Sequence, residues 1–123
     1  MLVAAFVILT AVVLLGAGLA GLHLRSEGRA AAPWPLAALH GLLAIGGLSC
    51  LALALRGPPR GLDQGTASFG MISMTLIALA ALVGLGLLSA HILKRRVPGI
   101  MIGIHATLAV SGFVVLAAYV FAG

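Results

Sequence analysis

The segment from Leu39 to Leu48 reads Leu-His-Gly-Leu-Leu-Ala-Ile-Gly-Gly-Leu and places one titratable ring inside an otherwise apolar stretch. A second segment, from Ile104 to Phe113, reads Ile-His-Ala-Thr-Leu-Ala-Val-Ser-Gly-Phe. In both segments a glycine follows the histidine by seven residues, which pairs His40 with Gly47 and His105 with Gly112.

The similarity between the two segments continues upstream of each of them. Four residues of the first apolar stretch match four residues of the third. These are Gly16, Gly18, Leu19 and His23, which match Gly84, Gly86, Leu87 and His91. Because an internal repeat defines the architecture of a chain, the sequence predicts two repeated helical hairpins, at about residues 1–55 and 68–122.

The composition indicates a membrane protein. The 123 residues are 63% hydrophobic and only 7% charged, whereas about a quarter of the residues of a soluble domain are charged. Four apolar runs, at about residues 2–24, 36–55, 68–93 and 100–122, reach the roughly 20 residues that a helix needs to cross a bilayer. Helices satisfy their own backbone hydrogen bonds in lipid, so we predict an all-α integral membrane four-helix bundle, a single domain over residues 1–123.

The net charge of +5 comes from basic residues at the ends of the apolar runs, which argues against nucleic acid as a partner. The first and third loops carry most of these residues, namely Arg25, Arg29, Lys94, Arg95 and Arg96. Loops rich in Lys and Arg stay in the cytoplasm. We therefore expect a multi-pass protein of a bacterial-type inner (plasma) membrane with both termini outside, and Trp34 and Tyr119 as anchors at the interfaces.

With this topology the four histidines gather near the cytoplasmic face. His40 and His105 lie a turn or two inside the second and fourth spans, and His23 and His91 lie at the ends of the first and third. A haem iron needs neutral imidazole nitrogens from opposite sides, with close approach of the helices around a flat ring. His40 and His105, on repeat-related spans, are the best candidates for these metal ligands.

In this arrangement of histidines and glycines the chain resembles small four-helix membrane cytochromes of b type, in which histidines on alternate helices hold haem. The resemblance implies that His40 and His105 ligate haem b, that Gly47 and Gly112 keep the flanks of the ring clear, and that the protein is an electron-transfer subunit. Its electrons would be exchanged with quinone or a partner redox protein. Di-haem members carry cofactors near both membrane faces, but this chain has no histidine near its outer face, so we expect at most one haem.

Other interpretations of the histidines stay open. The resemblance extends to His23 and His91 as further candidate cofactor-binding residues, as outer groups of the same site. They could instead be ordinary interfacial residues, since they lie so close to the ends of their spans. His40 and His105 could instead form neutral hydrogen bonds between helices, hold zinc or copper, which imidazole also suits, or relay protons.

The alternative to a haem protein is a non-catalytic accessory or assembly subunit of a larger respiratory or photosynthetic membrane complex. Association with other membrane subunits or with further copies of the chain fits either function. The only carboxylates are Glu27 and Asp63, both in predicted loops, so paired acid and base catalysis has no candidates. The chain is at most a redox subunit of an enzyme.

Overall fold

The computed structural model describes residues 1–27 and 32–122, so Arg29 of the predicted basic loop lies outside the described residues. It contains four helices, α1 (Leu2–Arg25), α2 (Trp34–Ala54), α3 (Phe69–Ile92) and α4 (Gly99–Phe121), and no strand among those residues. All four helices are long and apolar enough to cross a membrane. The prediction of an all-α chain with four helices long and apolar enough to span a membrane is confirmed.

The helix ends follow from local backbone chemistry. Pro33 precedes α2 and Pro98 precedes α4, at positions where the missing N–H of proline removes no helical hydrogen bond. Beyond the last turns of α1 and α3, Glu27 and Lys94 both have φ of 51°. A left-handed residue at this point turns the chain away from the helix axis, so both hairpins are closed by short connections.

The helices form an antiparallel ring in chain order. α1 packs chiefly against α2 and α3 chiefly against α4, whereas the two hairpins meet along α1 and α4 and more sparsely along α2 and α3. No backbone contact joins α2 to α4, which lie diagonally across the bundle. We call the end with the α1–α2 and α3–α4 loops the basic end, because it carries Arg25, Lys94, Arg95 and Arg96.

The buried core lies in the half of the bundle away from the basic end. Its buried members come from all four helices and are Ala5, Leu9, Leu51, Ile77, Leu116 and Tyr119. Phe6 of α1 stacks on Phe113 of α4 with 5.4 Å between ring centroids, which joins the two hairpins in this half. This half of the bundle is close-packed and needs no ligand to fill it.

Tyr119 departs from the prediction that it anchors the chain at a membrane interface. Its side chain is only 4% exposed and belongs to the core. Gly70 makes this possible, because a Cβ atom at that position would lie 3.0 Å from the tyrosine ring. Because Gly70 on α3 has no side chain, there is space for the ring of Tyr119 on α4.

The half of the bundle next to the basic end is packed differently. None of the described residues in the ranges 13–46 and 81–111 is buried. Residues that face the bundle interior at this level, including His40 and His105, are only partly buried. The less buried half therefore contains the histidines on which the functional prediction depends.

Candidate functional site

His40 and His105 meet across the centre of the bundle. His40 is six residues from the start of α2 and His105 is six residues from the start of α4, a distance of about 9 Å along each helix. Their ring centroids are 6.0 Å apart and the ring planes are inclined by 71°. The structure thus brings together the two histidines that the sequence selected as a pair of ligands.

Each imidazole is anchored to a backbone carbonyl of its own hairpin. Nδ1 of His40 lies 3.1 Å from the carbonyl oxygen of Val12, and Nδ1 of His105 lies 2.8 Å from that of Ala80. A carbonyl oxygen can only accept, so Nδ1 carries the proton in each ring. Nε2 of each neutral imidazole keeps its lone pair, as in histidines that ligate metals.

A glycine gives each imidazole access to its carbonyl. In a helix, each carbonyl accepts a hydrogen bond from the amide of the residue four positions later. That residue is Gly16 for the carbonyl of Val12 and Gly84 for the carbonyl of Ala80. A Cβ atom at Gly16 would lie 3.0 Å from Cε1 of His40, and one at Gly84 would lie 3.1 Å from Cε1 of His105. Since a carbonyl has two acceptor positions, the histidine can take the second where the glycine leaves room.

Gly47 and Gly112 lie at close contacts between helices, away from the basic end. A Cβ atom at Gly47 would lie 2.8 Å from the side chain of Leu9, and one at Gly112 would lie 2.8 Å from that of Ile77. These contacts lie on the core side of the histidine pair. The role of the two glycines beside a bound ring stays a prediction.

His91 has an aromatic partner, whereas His23 has none among the described residues. The indole ring of Trp34, at the start of α2, lies parallel to the imidazole of His91 within 7°, with 6.1 Å between centroids. Trp34 is 52% exposed. The stack joins the two hairpins at the basic end, where Trp34 was expected as an interfacial anchor.

The surroundings of the His40–His105 pair are apolar on the inside and basic at the rim. Arg25, Lys94, Arg95 and Arg96 are exposed at the basic end, beyond the half of the bundle that lacks buried side chains. Two shallow cavities of about 390 and 250 Å³ lie elsewhere, one against α4 and one against α1, and neither is lined by a histidine.

The donor set fits a haem iron. Metal–imidazole bonds are about 2 Å long, so two rings that ligate one metal ion from opposite sides have centroids roughly 6 Å apart, close to the separation of His40 and His105. Among the described residues, Nε2 of neither ring makes a hydrogen bond, and the two rings come from diagonal helices. No group of three or more His, Cys, Asp or Glu side chains suited to a metal ion occurs in the described part of the chain.

The sequence did not reveal the backbone carbonyls that bond the two histidines. The carbonyls of Val12 and Ala80 carry no side-chain signature, and only the matched glycines four residues later pointed towards them. The Trp34–His91 stack was also missed, because it joins helices of different hairpins and depends on how the hairpins dock.

No protein family, no curated protein and no solved structure matches this chain. Function therefore has to be inferred from the chain's own residues and their geometry.

Proposed function

We propose that this protein is a small b-type haem protein of the membrane that transfers electrons, with one haem b held by Nε2 of His40 and Nε2 of His105. One observation carries the proposal. Two carbonyl-anchored imidazoles meet at 6.0 Å across the bundle, in the half where no described side chain is buried.

When bound, haem b supplies one reversible one-electron centre. The residues around it have separate tasks. The carbonyls of Val12 and Ala80 fix the orientation and the tautomer of the ligands, which also raises their basicity. The apolar helices exclude water, and Arg25, Lys94, Arg95 and Arg96 can pair with carboxylate propionates at the basic end.

We further propose that the two hairpins arose by tandem duplication of about residues 1–55 and 68–122. Equivalent contacts support this. His40 and His105 bond Val12 and Ala80, which have the same spacing to Gly16 and Gly84. Leu51 and Leu116, both fully buried, follow the two histidines by eleven residues. The duplication implies a pseudo-two-fold axis along the membrane normal.

The charge distribution supports an orientation with the basic end in the cytoplasm and both termini outside, as in a bacterial-type inner membrane. Helices of membrane-spanning length make up most of the described chain, so the proposed haem lies within the bilayer. We infer that its electrons are exchanged with a quinone in the bilayer or with a partner redox protein.

The second candidate is an accessory or assembly subunit without a cofactor. The close helix contacts at Gly47 and Gly112 favour this function, because helix packing alone explains why glycine occurs at both repeat positions. Large apolar side chains such as Leu14, Leu42, Leu82 and Val114 are exposed on all four helices, where they can face lipid, another subunit or a second copy of the chain.

The absorption spectrum of variants separates the two functions. In protein purified from haem-replete cells, we expect the reduced-minus-oxidised bands of a bis-imidazole haem to disappear in His40→Ala and in His105→Ala. They should persist in His23→Ala, the matched control. Bands that survive in His105→Ala but disappear in His91→Ala would show that the ligands were paired wrongly.

A further inference from the structure

The Trp34–His91 pair is an aromatic contact at the basic end that the proposed haem site does not use. Trp34 and His91 lie on α2 and α3, the two adjacent helices with the sparsest contact. Trp34 is six residues from His40, and His91 is seven residues from Gly84, which contacts His105. At 1.5 Å per residue both routes place the stack roughly 9–10 Å from the histidine pair, towards the basic end.

The pair presents a flat and polar recognition surface. The indole is half exposed and parallel to the imidazole. A further aromatic ring can therefore stack on it and displaces little water in doing so. Among the described residues, the imidazole of His91 makes no hydrogen bond to another group. An imidazole in its neutral form offers one donor and one acceptor nitrogen, the complement of a ring that carries carbonyl or hydroxyl oxygens.

The internal repeat provides a natural comparison. His23 is the repeat counterpart of His91, but Gly99, at the start of α4, stands where the repeat places Trp34 at the start of α2. His23 accordingly has no ring partner in the described part of the chain. Of the two repeat-related positions at the starts of α2 and α4, only that of Trp34 carries an aromatic residue. This difference indicates a single site per chain.

We propose that Trp34 and His91 bind the ring of a lipid-soluble quinone at the basic end of the bundle. A phosphate headgroup is less suitable, because Lys94, Arg95 and Arg96 lie beyond the end of α3 and the pair itself is aromatic. The inference extends the proposed electron transfer by naming the electron partner. The binding of the ring requires only Trp34 and His91, and so can be measured without haem.

Trp34 is the only tryptophan of the chain, so its fluorescence reports on this site alone. Purified protein in nanodiscs is titrated with decylubiquinone. The wild-type protein should show saturable quenching, and His91→Ala should raise the Kd about tenfold, as expected for the loss of a hydrogen bond and a ring stack. His23→Ala should bind as the wild type does.

Two further variants distinguish a loss of quinone binding from misfolding and from an effect of haem. His91→Phe keeps a flat ring but lacks the nitrogens, so it should also bind weakly while its helix content, measured by circular dichroism, is unchanged. The double variant His40→Ala with His105→Ala should still bind quinone. If it does so while the wild-type protein never contains haem, the proposed function fails and the quinone site stands.

Three results would overturn the quinone site. Quenching that rises in proportion to the quinone in the bilayer, without saturation, would show partitioning only. Equal affinity in the wild-type protein and His91→Ala would remove the histidine from the site. A saturable fluorescence change with phosphatidylglycerol, and none with quinone, would assign the pair to a lipid headgroup.

Discussion

At the scale of single residues, each candidate ligand depends on one carbonyl and one glycine. The imidazole of His40 reaches Val12 because Gly16 has no side chain, and His105 reaches Ala80 because of Gly84. An alanine at either glycine would place Cβ about 0.4–0.5 Å inside ordinary van der Waals contact, which is roughly 3.5 Å between carbon atoms. The ring would have to shift and its hydrogen bond would lengthen.

We therefore expect Gly16→Ala and Gly84→Ala to lower the haem content of the purified protein by several-fold, or to shift its absorption bands. Gly18→Ala and Gly86→Ala are matched controls on the same helices, since nothing lies within 4 Å of a Cβ atom at either position. Both should bind haem as the wild type does. Equal losses in all four variants would mean that the effect is on the helices in general and would contradict the assigned contacts.

At the scale of helices, the packed half of the bundle depends on close approach at Gly112. A Cβ atom there would lie 2.8 Å from Cγ1 of Ile77 and 3.2 Å from its backbone nitrogen. At Gly47 the corresponding contacts involve only the side chains of Leu9 and Ile8, which can move more easily than backbone. The two glycines occupy matching positions but tolerate a methyl group to different degrees.

Gly112→Ala should destabilise the protein by about 1–3 kcal/mol, the usual cost of overpacking, and Gly47→Ala by less. Gly103→Ala, on the same helix as Gly112 with open space around it, should be neutral or slightly stabilising because alanine favours the helix. Thermal unfolding in detergent provides the comparison. A Gly112→Ala protein as stable as Gly103→Ala would be inconsistent with the described packing of α3 against α4.

The helices themselves could be predicted from the sequence, but most of their contacts could not. Long apolar runs and the prolines at Pro33 and Pro98 located each span to within two residues, because length and backbone chemistry act locally. The spans are apolar on all sides, so the sequence does not distinguish the lipid-facing side from the inward side. The burial of Tyr119 and the stacking of Trp34 on His91 depend on the register between helices, which no local pattern specifies.

At the scale of the whole molecule, the bundle combines a half that contains the buried core with a less buried half that holds the histidines. The pairing of His40 with His105 could be predicted, since the repeat alone places them at matching depths. Their separation and the carbonyl anchors could not, because they arise only when α2 and α4 come together across the bundle. The division into two halves was likewise invisible in the sequence, as Leu, Ala and Gly occur throughout both.

The orientation of the molecule in the membrane can be tested with reporter fusions. Alkaline phosphatase fused after residue 123 should be active, because it folds outside the cytoplasm. The same enzyme fused within the α3–α4 loop, after Arg96, should be inactive. The opposite pattern would place the basic end outside and would reverse the proposed orientation.

The most direct test of the central claim is the haem content of the wild-type protein itself. The chain is purified from haem-replete cells, and bound haem is quantified as its pyridine complex relative to protein. One haem b per chain, with a Soret band, is the predicted result. A pure and folded, fully helical protein with no Soret band would contradict the claim that His40 and His105 hold haem.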